Sequence, residues 1–316
     1  MPRIHDATPL HVPDTDALRF LPEGPIAMDH TGRLSWVGIA HGSDVEHGSL
    51  NVLDLETMAN VSHLLPGRPG FAFPCRESGK FVLGMERELG IFDLKTETWS
   101  PFCDGVDQDV TGTIINDGMI YEDNLIFGTK DLEFATKKAG LYLYRGRDAK
   151  LIRLRDDQIC SNGKSIRVNE SGVLSLIDID SPTRLIVEYP IDIDSATLGS
   201  PRTLVDLTSD AAVPDGHVLV PGDRDIIVSM FLPNVADYGQ TRRFDLATGD
   251  CTEIWQTSGS PQNTCPCLVT HGGSVKLVIT TAVENMSASD QDKCPNAGQL
   301  FVAPTDFETS GDLVTW

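Results

Sequence analysis

The sequence lacks any uninterrupted apolar run of about 18 residues, which is what a membrane-spanning helix requires. It is also short of positive charge: 25 Lys and Arg stand against 46 Asp and Glu, a formal net charge of −21. A chain this acidic is repelled by nucleic acid and by anionic membrane surfaces, so neither is expected as a partner. No segment holds a 3.6-residue apolar period over several turns, which excludes a helical bundle. The opening residues, MPRIHDATPLHV, do not have the charged-then-apolar layout of a secretory signal. The seven cysteines are odd in number and scattered. Cys265-Pro266-Cys267 has no second Cys or His pair at finger-like spacing, so buried thiols are expected there rather than zinc ligands. Together these absences predict a soluble, cytoplasmic protein.

What the sequence does contain is a repeat. EGPIAMDHTGRLSWVGIA begins at Glu23, PDGHVLVPGDRDIIVSMF at Pro214, and four similar segments begin at Arg68, Asn116, Ser161 and Asn263. Most open on a polar residue or Pro followed by Gly. Each then shows two short apolar runs, typically about a turn such as His30-Thr31-Gly32, the signature of a β-hairpin. From Gly24 to Gly70, Gly118, Gly163 and Gly216 the steps are 46, 48, 45 and 53 residues. Periods near 40–50 with about four strands per unit predict an all-β propeller. Six units predict six four-stranded antiparallel blades around a central channel, in a single domain spanning 1–316. The last unit is short of a strand, and the N-terminal segment DALRFL is spare. Pairing the two would close the ring and cover an exposed edge.

The repeat gives meaning to residues that are unremarkable alone. NDG, SNG and PDG are common turn tripeptides, because Asn and Asp tolerate turn geometry and Gly supplies positive φ. In a propeller the first strand of each blade lines the axis, so Glu23, Asp117, Asn162 and Asp215, each directly before its Gly, converge at one mouth of the channel. Asn116 lies beside Asp117. Glu23, Asn162 and Asp215 offer oxygen donors without Cys or His, a set that suits one hard divalent cation, calcium first, with magnesium, manganese and zinc as alternatives. Three protein donors leave coordination positions for water and a ligand, and a cation so held can polarise a carbonyl.

The ordered set resembles the family of senescence marker protein, gluconolactonase and luciferin-regenerating enzyme. Its members here are EGP at 23–25, LSWVGI at 34–39, NDG at 116–118, FGT at 127–129, SNG at 161–163, PDG at 214–216 and the late GQLF. The resemblance spans about residues 20–305. It implies a six-bladed propeller with one catalytic divalent cation held by Glu23, Asn162 and Asp215. It also implies Asp215 as general base, Asn116 facing metal and substrate, Asp117 supporting the metal ligands, and Glu133 as a substrate contact. The implied activity is hydrolysis of a lactone. Esterase or phosphotriesterase activity shares the machinery, and a non-catalytic calcium-binding interaction propeller shares the fold. The sequence departs from the family pattern near the substrate: Ile114 replaces a common Arg, Lys130 a usual Met, Gly38 a usual Asp, and His217 follows PDG. Alternation along the strand would put Ile114 on the same face as Asn116. His217 and His41 are expected as no more than pocket walls. These changes suggest a substrate less polar than gluconolactone, or one whose polar end meets Lys130 or Glu133.

Overall fold

The computed structural model describes residues 1–169 and 171–316. It begins with β1 (Arg3–Pro9) and a short helix α1 (Asp16–Arg19). Four separate sheets follow. The first is built from β2 (Pro22–Ala27), β3 (Arg33–Gly38), β4 (Ser49–Asp54) and β5 (Ala59–Leu64). The second has β6 (Pro69–Pro74), β7 (Lys80–Met85), β8 (Glu88–Asp93) and β9 (Thr98–Cys103). The third has β10 (Thr113–Tyr121), β11 (Asn124–Asp131), β12 (Ala139–Arg145) and β13 (Lys150–Gln158). The fourth has β14 (Ser161–Val168), β15 (Leu174–Asp180), β16 (Leu185–Asp192) and β17 (Thr197–Leu198), with β18 (Arg202–Asp206) also pairing β16.

The remaining strands are β19 (Val213–Leu219), β20 (Asp225–Phe231), β21 (Tyr238–Asp245), β22 (Cys251–Ser258), β23 (Asn263–His271), β24 (Ser274–Thr281) and β25 (Phe301–Pro304), with a short helix α2 (Ala288–Gln291) before β25. They do not form two further separate sheets. β1 pairs β22 in parallel from Arg3 to Ala7 and β25 antiparallel at Thr8 and Pro9, which fuses them into one eight-stranded sheet. The expectation of six separate four-stranded sheets is corrected accordingly. The joining strand is also not DALRFL. Asp16–Arg19 is helical, and Arg19 caps carbonyls of Pro295 and Ala297. β1 was hidden in the sequence because its side chains are mostly exposed, so it shows no apolar alternation. Among the described residues no helix is long and apolar enough to cross a membrane.

The first strands of the repeats are the innermost. β2 lies against β6, β6 against β10, β10 against β14, β14 against β19, β19 against β23, and β23 against β2, a closed ring. Apolar residues fill the spaces between neighbouring sheets. Val37, Ile39 and Leu50 pack with Phe81, Leu83 and Met85, and Ile177 and Ile179 pack with Ile226 and Val228. Each such side chain, fully buried, contributes roughly 1.5–3 kcal/mol.

One irregularity recurs on every inner strand. Pairing with the second strand breaks register between Glu23 and Ile26, Pro69 and Phe71, Ile115 and Asp117, Asn162 and Lys164, Pro214 and His217, and Asn263 and Pro266. A β-bulge leaves a residue unpaired, bends the strand and re-aims its side chains. The polar residues of the repeat sit in these bulges. Glycine is needed beside them for space. A Cβ on Gly163, where φ is +42°, would lie 2.3 Å from His217 Nδ1, and one on Gly216 would lie 2.6 Å from Cys265 Sγ.

Candidate functional site at the channel mouth

The bulges deliver Glu23, Asn116, Asn162 and Asp215 from four different sheets to one cleft of about 60 Å³. Lys130, Cys160, Ser181 and Glu284 complete its polar lining, and Leu21, Ile39, Phe134, Val213 and Phe231 its apolar wall. Glu23, Asn116, Lys130, Asn162 and Asp215 are all buried.

The amides are fixed by hydrogen bonds. Asn116 Nδ2 donates to Asn162 Oδ1 at 2.8 Å and to the Ser161 carbonyl at 2.9 Å. Asn162 Nδ2 donates to Ser181 Oγ at 2.9 Å. Asn162 therefore has its amide orientation set from both ends. The neighbouring Asp117 ties the same two strands together from below. Its two carboxylate oxygens accept the backbone N–H groups of Gly118 and Gly163, each at 2.6 Å. It does not line the cleft with the others but faces the chamber beneath.

The carboxylates are poorly compensated. Burial first, and then the charge of Asp117, pushes Glu23 up to about 8, against the N–H of Gly24 and the charge of Lys130. Burial, then the charges of Glu23 and Asp117, holds Asp215 well above the usual carboxylate range. Asp117 is also raised, chiefly by burial. Among the described residues, Asp215 accepts no hydrogen bond, and Glu23 accepts one, from Gly24 at 2.9 Å. Buried acids that oppose one another in this way mark sites where charge has been concentrated.

Other expected residues lie elsewhere. Ile114 is buried in the core cluster with Leu21, Ile39 and Leu83 and does not line the cleft. The bulge between Ile115 and Asp117 interrupts the alternation that would have given it the face of Asn116. Glu133 is exposed and outside the cleft. Asp131 turns the chain away there, its carboxylate accepting the backbone N–H groups of Glu133, Ala135 and Thr136. His217 lines the lower chamber, where Nε2 contacts Ser165 Oγ at 2.7 Å and burial pushes its pKa down to about 3, so it is neutral. His41 lies outside the cleft, paired with Ser49 Oγ at 3.0 Å. Gly38 is packed tightly: a Cβ there would approach Ser49 Oγ to 2.9 Å. Cys265 and Cys267 are buried free thiols. Glu284, Ser181 and Cys160 were missed. Glu284 follows the second strand of its hairpin, in register with no repeated motif, and the sequence carries no signal for it.

The lower chamber is larger, about 740 Å³, and is lined by the outgoing halves of the inner strands and by residues 309–314. Its size does not make it the stronger candidate. The convergent amides and carboxylates are at the other mouth.

Among the described residues no three His, Cys, Asp or Glu side chains form a metal-holding group by themselves. The candidate set is of a different kind, with two carboxylates and one amide oxygen. All-oxygen donors, with carboxylates that burial and one another's charge hold toward the protonated form, fit a hard cation that would stabilise their ionised state.

Fold and site together define an all-β propeller with an acid and amide cluster at the mouth of its channel. The chain belongs to the SMP-30/gluconolactonase/LRE-like family, whose model matches residues 21–283. It is 25% identical over 306 residues to YvrE of Bacillus subtilis (strain 168), provisionally named a sugar lactone lactonase, covering 94% of this chain and 95% of that one. Among solved structures it is similar to a calcium-binding protein, regucalcin, from Agrobacterium tumefaciens, with TM-score 0.81, 20% identity and coverage of 100% and 98%. It is also similar to luciferin-regenerating enzyme, with TM-score 0.76, 20% identity and coverage of 93% and 94%. A gluconolactonase from Xanthomonas campestris gives TM-score 0.63 at 13% identity, covering 96% and 97%. These structural likenesses concern the fold.

Proposed function

We propose that the protein is a metal-dependent hydrolase that opens a lactone ring, with Asp215 as general base. The observation that carries this reading is the pairing of Glu23 and Asp215, two buried and mutually opposed carboxylates, with an oriented Asn162 in one cleft. The names of YvrE and of the Xanthomonas structure point the same way. Glu23, Asn162 and Asp215 would hold the cation, and the calcium-binding description of the Agrobacterium relative favours calcium. When bound, a divalent cation supplies Lewis-acid polarisation of a carbonyl.

The chain's own groups do the rest. Asp215, with no hydrogen bond to its carboxylate among the described residues, accepts a proton from the attacking water. The water oxygen bonds to the lactone carbonyl carbon, the ring C–O bond breaks, and the leaving alkoxide takes up the proton to give a hydroxy acid. Asn116 keeps Asn162 in place, and Ile39, Phe134 and Phe231 limit bulk water at the cleft. We read the eight-stranded sheet as two blades joined by β1, which makes six blades in one domain. The seven free cysteines suit a reducing, cytoplasmic setting.

A second reading, a non-catalytic calcium-binding propeller, is favoured by the small size of the cleft. Metal analysis of the purified protein, followed by assay of sugar and non-sugar lactones, esters and phosphotriesters with and without chelator, tests both. Chelator-sensitive lactone turnover, abolished in Asp215→Ala with the fold intact, is the expected result. Metal binding without turnover of any substrate would favour the second reading, and undiminished turnover in Asp215→Ala would sink the assignment of the base.

A further inference from the structure

Lys130 is an anomaly in the cleft. It is only 5% exposed, yet its ammonium makes no hydrogen bond and no ion pair among the described residues. Its backbone is fixed by β11 pairing, opposite Ile114 on one side and bridged to Cys160 on the other. Its Nζ lies 5.8 Å from the centre of the Phe134 ring. Glu23 and Asp215 feel its charge through space, but neither is within ion-pair distance. The Phe134 contact is a cation–π contact, and the ammonium tip opens to the cleft rather than being sealed in. Its three donors are left without a hydrogen-bonding or anionic partner there among the described residues, which is unusual for so buried a lysine. The other buried lysine, Lys164, shows the usual arrangement: its Nζ bonds Ser161 Oγ at 2.8 Å and pairs with Asp178 at 3.5 Å.

The surroundings narrow what the partner can be. The wall beyond Lys130 is apolar, formed by Phe134, Leu21, Ile39 and Phe231. A polyhydroxy ring would leave hydroxyls unmet against this wall. A compact ring carrying one anionic group would not. We infer that Lys130 is a specificity-determining residue that binds a carboxylate on the substrate, so that the preferred substrate class is a small lactone acid rather than a neutral sugar lactone. The inference rests on the lactone-hydrolase reading for the word lactone. The carboxylate recognition by Lys130 can be tested apart from it.

The probes are paraconic acid, a five-membered lactone with one ring carboxylate, and its neutral carboxamide of the same shape. Each is assayed with calcium-loaded wild type, Lys130→Met and Lys130→Gln, all checked by thermal melting. Two variants are used so that a failure of one to fold does not end the test. Wild type is expected to prefer the acid in kcat/KM by about tenfold or more, the size of one charge-assisted hydrogen bond. The acid-to-amide ratio is expected to collapse toward one in either folded variant. Equal or reversed preference in wild type, or a preference kept without the lysine, overturns the inference. If neither lactone is turned over, the lactone-hydrolase reading is decided by the wider panel of lactones, esters and phosphotriesters. Calorimetric titration with the cyclopentanone analogues of both probes, which have the carbonyl but no scissile bond, then decides. Tighter binding of the acid that is lost with Lys130 supports the inference, whereas equal binding, or none, overturns it.

Discussion

Asn116 donates a hydrogen bond from Nδ2 to Oδ1 of Asn162 at 2.8 Å, joining the bulges of two neighbouring inner strands 46 residues apart. The bond does two things. It points the Asn162 amide, with help from Ser181, and it leaves the Asn116 carbonyl oxygen for the cleft. Removing the donor leaves the Asn162 carbonyl without its partner and the amide held from the Ser181 end alone. On the proposal that Asn162 binds the cation, a partner that orients it is worth about 10–100-fold in metal affinity or activity. Asn116→Ala is therefore expected to lower both calcium affinity and lactone kcat/KM by roughly that factor, with little change in melting temperature. Calorimetry and steady-state kinetics check it, and unchanged values for both would show that Asn162 is oriented without Asn116.

Gly163 is held at φ +42°, with the His217 ring where its side chain would be. Gly163→Ala brings left-handed strain and a clash in a packed region, each costing on the order of 1–3 kcal/mol. Chemical denaturation should show a loss of about 2–4 kcal/mol. Gly163→Ala combined with His217→Ala should regain part of it relative to the sum of the single changes, since the ring is the obstacle. Strict additivity of the two would mean that the contact is not what excludes a side chain.

Ile114→Arg separates the core position from a pocket position. On a pocket wall the substitution would add donors for substrate hydroxyls and improve turnover of gluconolactone. In the cluster with Leu21, Ile39 and Leu83 it buries an unpaired guanidinium instead. The expected result is destabilisation of roughly 3 kcal/mol or more, read as a large fall in the denaturation midpoint. A stable variant with better gluconolactone kinetics would return Ile114 to the substrate site.

These positions show what the sequence can and cannot carry. Glu23, Asn162 and Asp215 were legible because a glycine follows each at a regular interval, and a ring of inner strands turns equal register into proximity. The bulge at each of them was not legible, since it adds a residue without changing composition. That one shift is enough to move Ile114 from the face of Asn116 into the core. Glu133 was misplaced for a related reason. Asp131 accepts three backbone N–H groups and pairs with Lys138 at 2.9 Å, and the turn this makes carries Glu133 outward. Those contacts outweigh burial and hold Asp131 below the usual carboxylate range. Glu284 belongs to no repeated motif, and β1 has too little apolar alternation to be seen. Local pattern specified the repeats and the ring, whereas irregular backbone and loop residues needed coordinates.

The final prediction concerns pH in the absence of metal. Glu23 rises to about 8 on folding from an ordinary 4.5, chiefly through burial, and Asp215 and Asp117 move in the same direction. A group whose pKa is raised in the folded state binds its proton more tightly there. Its contribution to stability is complete below the unfolded pKa and is lost as pH rises through the folded one. For Glu23 the loss is still under way as pH passes about 8. His217 works the other way, since its pKa falls to about 3 and its contribution is lost only as pH drops below its ordinary value of 6.5. In a window from about pH 7 to pH 9 exposed carboxylates are already ionised and His217 is already neutral. The buried thiols of Cys160 and Cys265, also raised by burial, lose stability in the same direction, so the difference between wild type and Glu23→Gln is what isolates the acid. Chelated wild type should lose melting temperature across this window, by roughly several degrees. Calcium should restore it most at the upper end, where the carboxylates it compensates are unprotonated, and its apparent affinity should rise with pH. Glu23→Gln carries no charge to oppose Asp117, so its chelated form should show a shallower decline. A melting temperature of the chelated wild type that is flat or rising from about pH 7 to 9 would mean that the buried acids are compensated by something other than a cation.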